Sequence, residues 1–205
     1  MRISYPKAFF LLALAGIETL MAATRPVDGV KLNFNLIGSP EIMAQVRGLT
    51  QKKPRIPGPG EPFPVWLELE TEFDSAAEFP ELTFKYLVLV KSGQTLKLLE
   101  GEVVHVDVAP GRERHSVMYV GPKSLNRLAE NKQFSINSVV GFYVEVSFNG
   151  QLVAIGQKSQ RLNYESFTKE REKLEKVSDI LLNKGQTPFA PLFFDYYEAI
   201  KPLPR

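Results

Sequence analysis

The stretch "VVGFYVEVSFNGQLVAIG", residues 139–156, decides the fold. Phe142, Val144, Val146 and Phe148 alternate with Tyr143, Glu145 and Ser147 as far as Asn149-Gly150, and extended patterning resumes over residues 151–156. Alternation of period two marks a strand with one buried face. Asn-Gly supplies the two positive φ angles of a type I′ turn, so the stretch predicts a two-residue β-hairpin.

The same patterning recurs on the N-terminal side. Residues 30–37 ("VKLNFNLI") put Val30, Leu32, Phe34 and Leu36 on one face and Lys31, Asn33 and Asn35 on the other. Residues 65–73 ("VWLELETEF") point Val65, Leu67, Leu69, Thr71 and Phe73 inward, and residues 82–90 ("LTFKYLVLV") are apolar enough for a central strand. Strands at 96–99 and 103–108 follow, with Gly101 between them read as a bulge or bend. Pro110-Gly111 is a turn dipeptide, and residues 116–120 return beyond it as a hairpin partner. Residues 54–64 ("PRIPGPGEPFP") carry five prolines and two glycines and read as an extended loop or an edge. Residues 122–131 read as a short helix that starts at Pro122 and buries Leu125 and Leu128. About seven or eight strands with frequent turns predict a mainly β fold, an antiparallel sandwich in preference to a barrel.

The patterning changes after residue 163. Residues 166–185 ("SFTKEREKLEKVSDILLNKG") predict a helix with Ser166 as cap, Phe167, Leu174, Val177 and Leu181 along one stripe, and Gly185 past its end. Then comes "TPFAPLFFDYYEAIKPLP", residues 187–204, with five aromatics inside residues 189–197. Phe189, Leu192, Phe193, Tyr196, Tyr197 and Ile200 fall on one face of a helix that Pro191 would open and Pro202 would stop. Three turns are marginal alone, so the face must dock, either on the protein's own sandwich or against a partner. Together with Phe194, off the main stripe, these residues form the candidate partner-binding set.

The N-terminus specifies a compartment. Arg2 and Lys7 precede "AFFLLALAGI", residues 8–17, a run too short to span a bilayer but suited to a secretory signal. Small residues at 13–15 and 22–23 offer two cleavage points. The expected organisation is a signal peptide at 1–23, a sandwich at 24–163 and a C-terminal helical extension at 164–205. Export to the periplasm, the outer-membrane surface or the extracellular space is expected, with no membrane-spanning segment after signal removal. The absence of cysteine excludes disulfides, thiolate metal sites and lipoprotein acylation. Gly16 and Glu18 come after the apolar run, which is the wrong order for a type IV prepilin.

Composition narrows function by exclusion. A net charge of +2, with both signs mixed along 205 residues, argues against nucleic acid as the main partner. No phosphate loop, GxSxG elbow or HExxH helix occurs, so no catalytic residue, metal or cofactor is expected. His105 and Asp107 are i,i+2 neighbours on one strand face, about 7 Å apart and too far for a direct catalytic bond, so a structural or solvent-facing role is expected. His115 ends a basic hairpin tip, "GRERH", best read as a solvated loop. Trp66, Glu68, Glu70 and Glu72 share one strand face, read first as an exposed acidic ladder with Trp66 partly covered by a neighbour. Trp66, Glu68 and Glu70 there make a carbohydrate-binding alternative, and paired carboxylates make a less favoured secreted hydrolase.

The signal, the lack of cysteine, "VWLELETEF", "LTFKYLVLV", the "APGRERHSVMYV" hairpin and the closing "TPFAPLFFDYYEAIKP" together resemble a family of exported proteins. These are the immunoglobulin-like proteins encoded with type IV pilus genes in verrucomicrobial bacteria. The resemblance implies an immunoglobulin-like sandwich related to archaeal pilus-type folds. It implies a non-enzymatic role in envelope or pilus-associated assembly, or adhesion, through envelope or pilus proteins as partners. It carries over no catalytic residue. Export has a direct check: N-terminal sequencing of the envelope-associated protein should place its first residue between Gly16 and Thr24, and recovery of Met1 would refute it.

Overall fold

The structure, a computed structural model, describes residues 25–39, 64–130, 132–193 and 195–202. The expected signal peptide and the proline-rich stretch up to Phe63 lie outside the described residues. In chain order the strands are β1 (Val27–Gly38), β2 (Val65–Ser75), β3 (Phe79–Ser92), β4 (Thr95–Val108), β5 (Gly111–Val120), β6 (Val139–Phe148), β7 (Gln151–Ser159), β8 (Glu175–Val177) and β9 (Leu181–Asn183). Helix α1 (Pro122–Leu128) precedes β6, and α2 (Tyr164–Glu170) follows β7.

The hairpin forms as its sequence predicts. Phe148 faces Gln151 in the β6–β7 register, with φ of 49° at Asn149 and 76° at Gly150. The strands build one four-stranded sheet, β1-β2-β5-β9, and one five-stranded sheet, β7-β6-β3-β4-β8. Neighbours are antiparallel except β4 and β8. The inward faces meet in one core: Leu67, Leu69 and Phe73 from β2, Phe84, Tyr86 and Val88 from β3, and Phe142 and Val144 from β6 are fully buried. Phe73 and Phe84 hold the layers together with ring centroids 4.8 Å apart. The fold is a β-sandwich, and α1 seals one end through Leu125 and Leu128, as its sequence predicts.

Gly101 is not a bulge. Strand β4 runs unbroken past it, with Tyr86 opposite in a regular register. A Cβ at Gly101 would lie 2.5 Å from Leu181 Cβ and 3.0 Å from Met118 Cε. The glycine therefore permits close approach of the four-stranded sheet over β4.

The helix expected over residues 166–185 is mostly replaced. Asn163, rather than Ser166, caps α2, its Oδ1 accepting from Ser166 N at 2.9 Å. After Glu170 a 3-10 turn ends the helix, and Asp179, at φ 62°, sits in the left-handed region. The apolar stripe that suggested a helix serves two edge strands instead. Glu175–Val177 adds in parallel to β4 at Lys97–Leu99, and Leu181–Asn183 adds to β5 at Met118–Val120. Open sheet edges offer backbone hydrogen bonds, while Ile180 and Leu181 gain the core; two heptads of helix could bury neither so completely. The chain thus has nine strands among the described residues.

The expected tail helix is also absent among the described residues. They form separate four-residue turns, with Ala190 N on Thr187 O, Leu192 N on Phe189 O and Tyr196 N on Phe193 O. Pro188 and Pro191 donate no N–H, and Phe193 at φ 53° cannot continue a right-handed helix.

Two glycine substitutions separate backbone strain from steric strain. Nothing lies within 4 Å of a Cβ at Gly150, so Gly150→Val should cost about 1 kcal/mol or more from positive φ alone. Gly101→Val should cost about 2 kcal/mol by overpacking Leu181. Denaturant titration of both variants is the check, and an unchanged midpoint for Gly150→Val would contradict the turn type.

Candidate functional site

Strand alternation turns Trp66, Glu68, Glu70 and Glu72 of β2 away from the core, next to His115, Val117 and Tyr119 of β5. This outer face of the four-stranded sheet would be an acidic ladder crossed by rings. It is covered by the chain's own C-terminal segment. Phe189, 4 % exposed, stacks on Tyr119 with centroids 4.7 Å apart and planes 12° apart, and meets Trp66 edge-on at 5.5 Å. Leu192 and Tyr197 pack into the same cluster, as does Ile37 from β1. The two sets of candidate residues, one on β2 and one on the tail, therefore sit against each other.

Polar contacts complete the seat. Trp66 Nε1 donates to Ser39 Oγ at 3.0 Å, and Tyr119 Oη donates to Glu68 Oε2 at 3.3 Å. Burial, and then the Glu70 charge, raise the Glu68 carboxyl above its ordinary value. Burial raises the Tyr197 phenol well above its ordinary value, and Glu68 and Glu70 add to the effect. The Tyr196 ring lies flat on His115, centroids 4.0 Å and planes 20° apart. Burial and neighbouring Glu70 push its phenol up to about 12. His115 Nδ1 lies 3.1 Å from Glu70 Oε1, within ion-pair range but poorly aligned for a hydrogen bond. His115 is thus a built element of the face, not part of a solvated loop tip.

The end of the tail enters the fold more deeply. Lys201 N donates to Val104 O at 2.8 Å, Val106 N to Ala199 O at 3.0 Å, and Glu198 N to His115 O at 3.0 Å. Residues 198–201 therefore bridge β4 of one sheet to β5 of the other. Ile200, opposite His105, packs on the main core. Arg114 holds Glu198 at 3.1 Å. His105 itself is 1 % exposed, whereas Asp107 has φ 54° and turns to solvent, so the two do not share a face.

Part of the tail stays outside. Phe193 is 65 % exposed and Tyr196 is 49 % exposed; Phe194 lies outside the described residues. Phe193 is displayed by a backbone held at φ 53°, whose carbonyl lies 3.5 Å from Lys184 Nζ. Lys184 is only 6 % exposed, sits 5.5 Å from the Tyr197 ring centre, and has its pKa lowered by that burial. The aromatic concentration in the sequence found this segment, but nothing local to it indicated Lys184, His115 or the β4 edge as its partners.

Elsewhere, a shallow cleft of about 270 Å³ on the outer five-stranded face is lined by Lys85, Glu102, Glu145 and Tyr164. Its Glu145 is already engaged by Tyr164 Oη at 2.8 Å and Arg171 Nη1 at 3.0 Å. No group of three or more His, Asp or Glu side chains placed to hold a metal occurs among the described residues.

No curated protein matches the chain. A crystal structure of a protein from Akkermansia muciniphila, a verrucomicrobium, superposes with a TM-score of 0.64 at 23% identity. The match covers 87% of this chain and 96% of that one, and it is a likeness of fold. A family model extends over residues 19–203, from the end of the N-terminal apolar segment through the docked tail. The chain belongs to the family that this model defines.

Proposed function

We propose that this protein is an exported, non-enzymatic β-sandwich that acts in cell-envelope assembly or adhesion through protein–protein contacts made by its C-terminal segment. Its partners are envelope proteins, and pilus proteins are the finer form of the reading, drawn from the resemblance. Export is supported by the charged-then-apolar N-terminus. No helix among the described residues is long and apolar enough to cross a membrane.

The observation that carries the reading is the exposure of Phe193 on an anchored segment. Phe189 fixes the chain before it and the backbone bonds of residues 198–201 fix it after. Phe193 itself sits in a left-handed conformation that a phenylalanine does not favour, with its carbonyl 3.5 Å from the buried Lys184 Nζ. An exposed phenyl ring on a backbone fixed at both ends leaves little backbone entropy to lose on binding, which favours an interface anchor. The carbohydrate alternative has less support, because Phe189 occupies the edge of Trp66 and Glu68 already accepts from Tyr119.

Two variants separate anchoring from display. Phe189→Ala should cost about 3 kcal/mol and lower the melting temperature by roughly 10 °C, with a red shift of Trp66 emission. Phe193→Ala should leave the melting temperature within a degree or two, yet reduce recovery of the protein's envelope partner about tenfold in matched pull-downs. Equal recovery with both proteins folded would remove Phe193 from the interface.

A further inference from the structure

We infer that the C-terminal segment is an acid-sensitive latch: protonation of His105 shifts residues 187–202 away from their docked position while the two sheets stay folded. His105 lies where β4, β5 and the tail meet. Its Nε2 is 2.7 Å from Ser116 Oγ, and Tyr86 Oη donates to that same oxygen at 2.8 Å. Its Nδ1 is 3.2 Å from Glu198 O and 3.3 Å from Ala199 O. Carbonyls only accept, so Nδ1 carries the ring proton and Nε2 must accept from Ser116. The hydrogen bonds then run one way, from Tyr86 to Ser116 to His105 to the tail backbone. Run in this direction, the chain requires a neutral imidazole.

A second proton on the ring breaks this arrangement twice. Nε2 becomes a donor facing a hydroxyl that was donating to it, and the Ser116 proton loses its acceptor. A cation is also created in a buried site, with the Phe84 ring centre 5.3 Å from that of His105. The charged groups on the surrounding elements are engaged elsewhere. Glu198 is held by Arg114, Lys201 by Glu81, and Glu70 faces His115. Asp107, farther along β4, faces solvent. Neutralising the ring is the response within the docked state; lifting the tail is the alternative, because it opens the β4–β5 edge to water.

The direction follows from linkage. Burial lowers the His105 pKa from the ordinary 6.5 to about 4 in the docked state, against the pull of the two tail carbonyls. The released state takes up its proton at the ordinary value, so it binds more protons than the docked state below that pH. Docking is therefore at full strength above about pH 6.5 and weakens as pH falls towards 4, by up to about 300-fold in the docked-to-released ratio. His115, the other of the chain's two histidines, lies under the Tyr196 ring with its Nδ1 3.1 Å from Glu70 Oε1, and its ring takes no part in the His105 hydrogen bonds.

The test is hydrogen exchange on the purified full chain between pH 7 and pH 4.5, corrected for intrinsic rates. Protection of the Val106, Glu198 and Lys201 amides should fall by about fifty-fold or more, while the Tyr86 and Val144 amides in the β3–β6 ladder keep theirs. Emission from Trp66, the only tryptophan, should shift red with the same midpoint. His105→Gln, neutral throughout, should abolish the response. Glu198→Gln should retain it, because Glu198 reaches His105 through its backbone carbonyl. The NMR titration of the His105 ring should share the tail midpoint, a reading that stands even where His105→Gln does not fold. Flat protection to pH 4.5, equal loss in the β3–β6 ladder, a response surviving in His105→Gln, or one lost in Glu198→Gln would each overturn the latch.

Discussion

Strand β4 pairs with β3 along one side, from Phe79–Val108 to Ser92–Thr95, and needs partners for its other side. A fourteen-residue strand with a free edge is a template for unwanted pairing, and closing that edge organises everything after α2. The chain pairs with it twice. Glu175–Val177 bonds to its first third and Ala199 and Lys201 to its last third, while Leu181 of the other sheet lies over the strand's face at Gly101. The C-terminal segments are therefore shaped by the edge they serve. Their irregularity, two short strands and a string of turns, reflects spacing along β4 rather than weak structure.

The edge is also where polar atoms enter the core. Tyr86, Ser116 and His105 sit inside a sandwich otherwise filled by Leu, Val and Phe, and each would cost a few kcal/mol if left unpaired. Their chain of hydrogen bonds ends on the tail carbonyls, so the last acceptors for a core network are supplied by Glu198 and Ala199. Apolar docking of Phe189 and polar capping of His105 thus act on the same segment from its two ends. This coupling makes the tail part of the sandwich, and between its two fixed ends Phe193 and Tyr196 face outward.

The two outer faces are treated differently. On the five-stranded sheet, α2 lays Phe167 flat on Tyr143, centroids 4.2 Å apart, and Arg171 ties Glu100 to Glu145. That cover is a helix with its own backbone bonds satisfied. On the four-stranded sheet the cover is a proline-interrupted strip that relies on its seat for order. The strip consequently presents side chains, Phe193 and Tyr196 among them, in positions that a regular helix would have turned inward.

Local patterning was enough for much of the sandwich. Alternation in residues 30–37, 65–73 and 139–148, with Asn149-Gly150, specifies strands, faces and a hairpin because period-two burial and positive φ are properties of neighbouring residues. The aromatic density of residues 189–197 likewise announced a segment that must dock. What it docks on was decided only by tertiary structure. The helical spacing of Phe167, Leu174, Val177 and Leu181, and of Phe189 through Ile200, is equally compatible with strands and turns once a sheet edge competes for the backbone. Trp66 and Phe189 are far apart in sequence, and His105, Ser116 and Ala199 come from three separate segments. Their meeting depends on which edges remain open after the sheets assemble, and no local window of sequence contains that information.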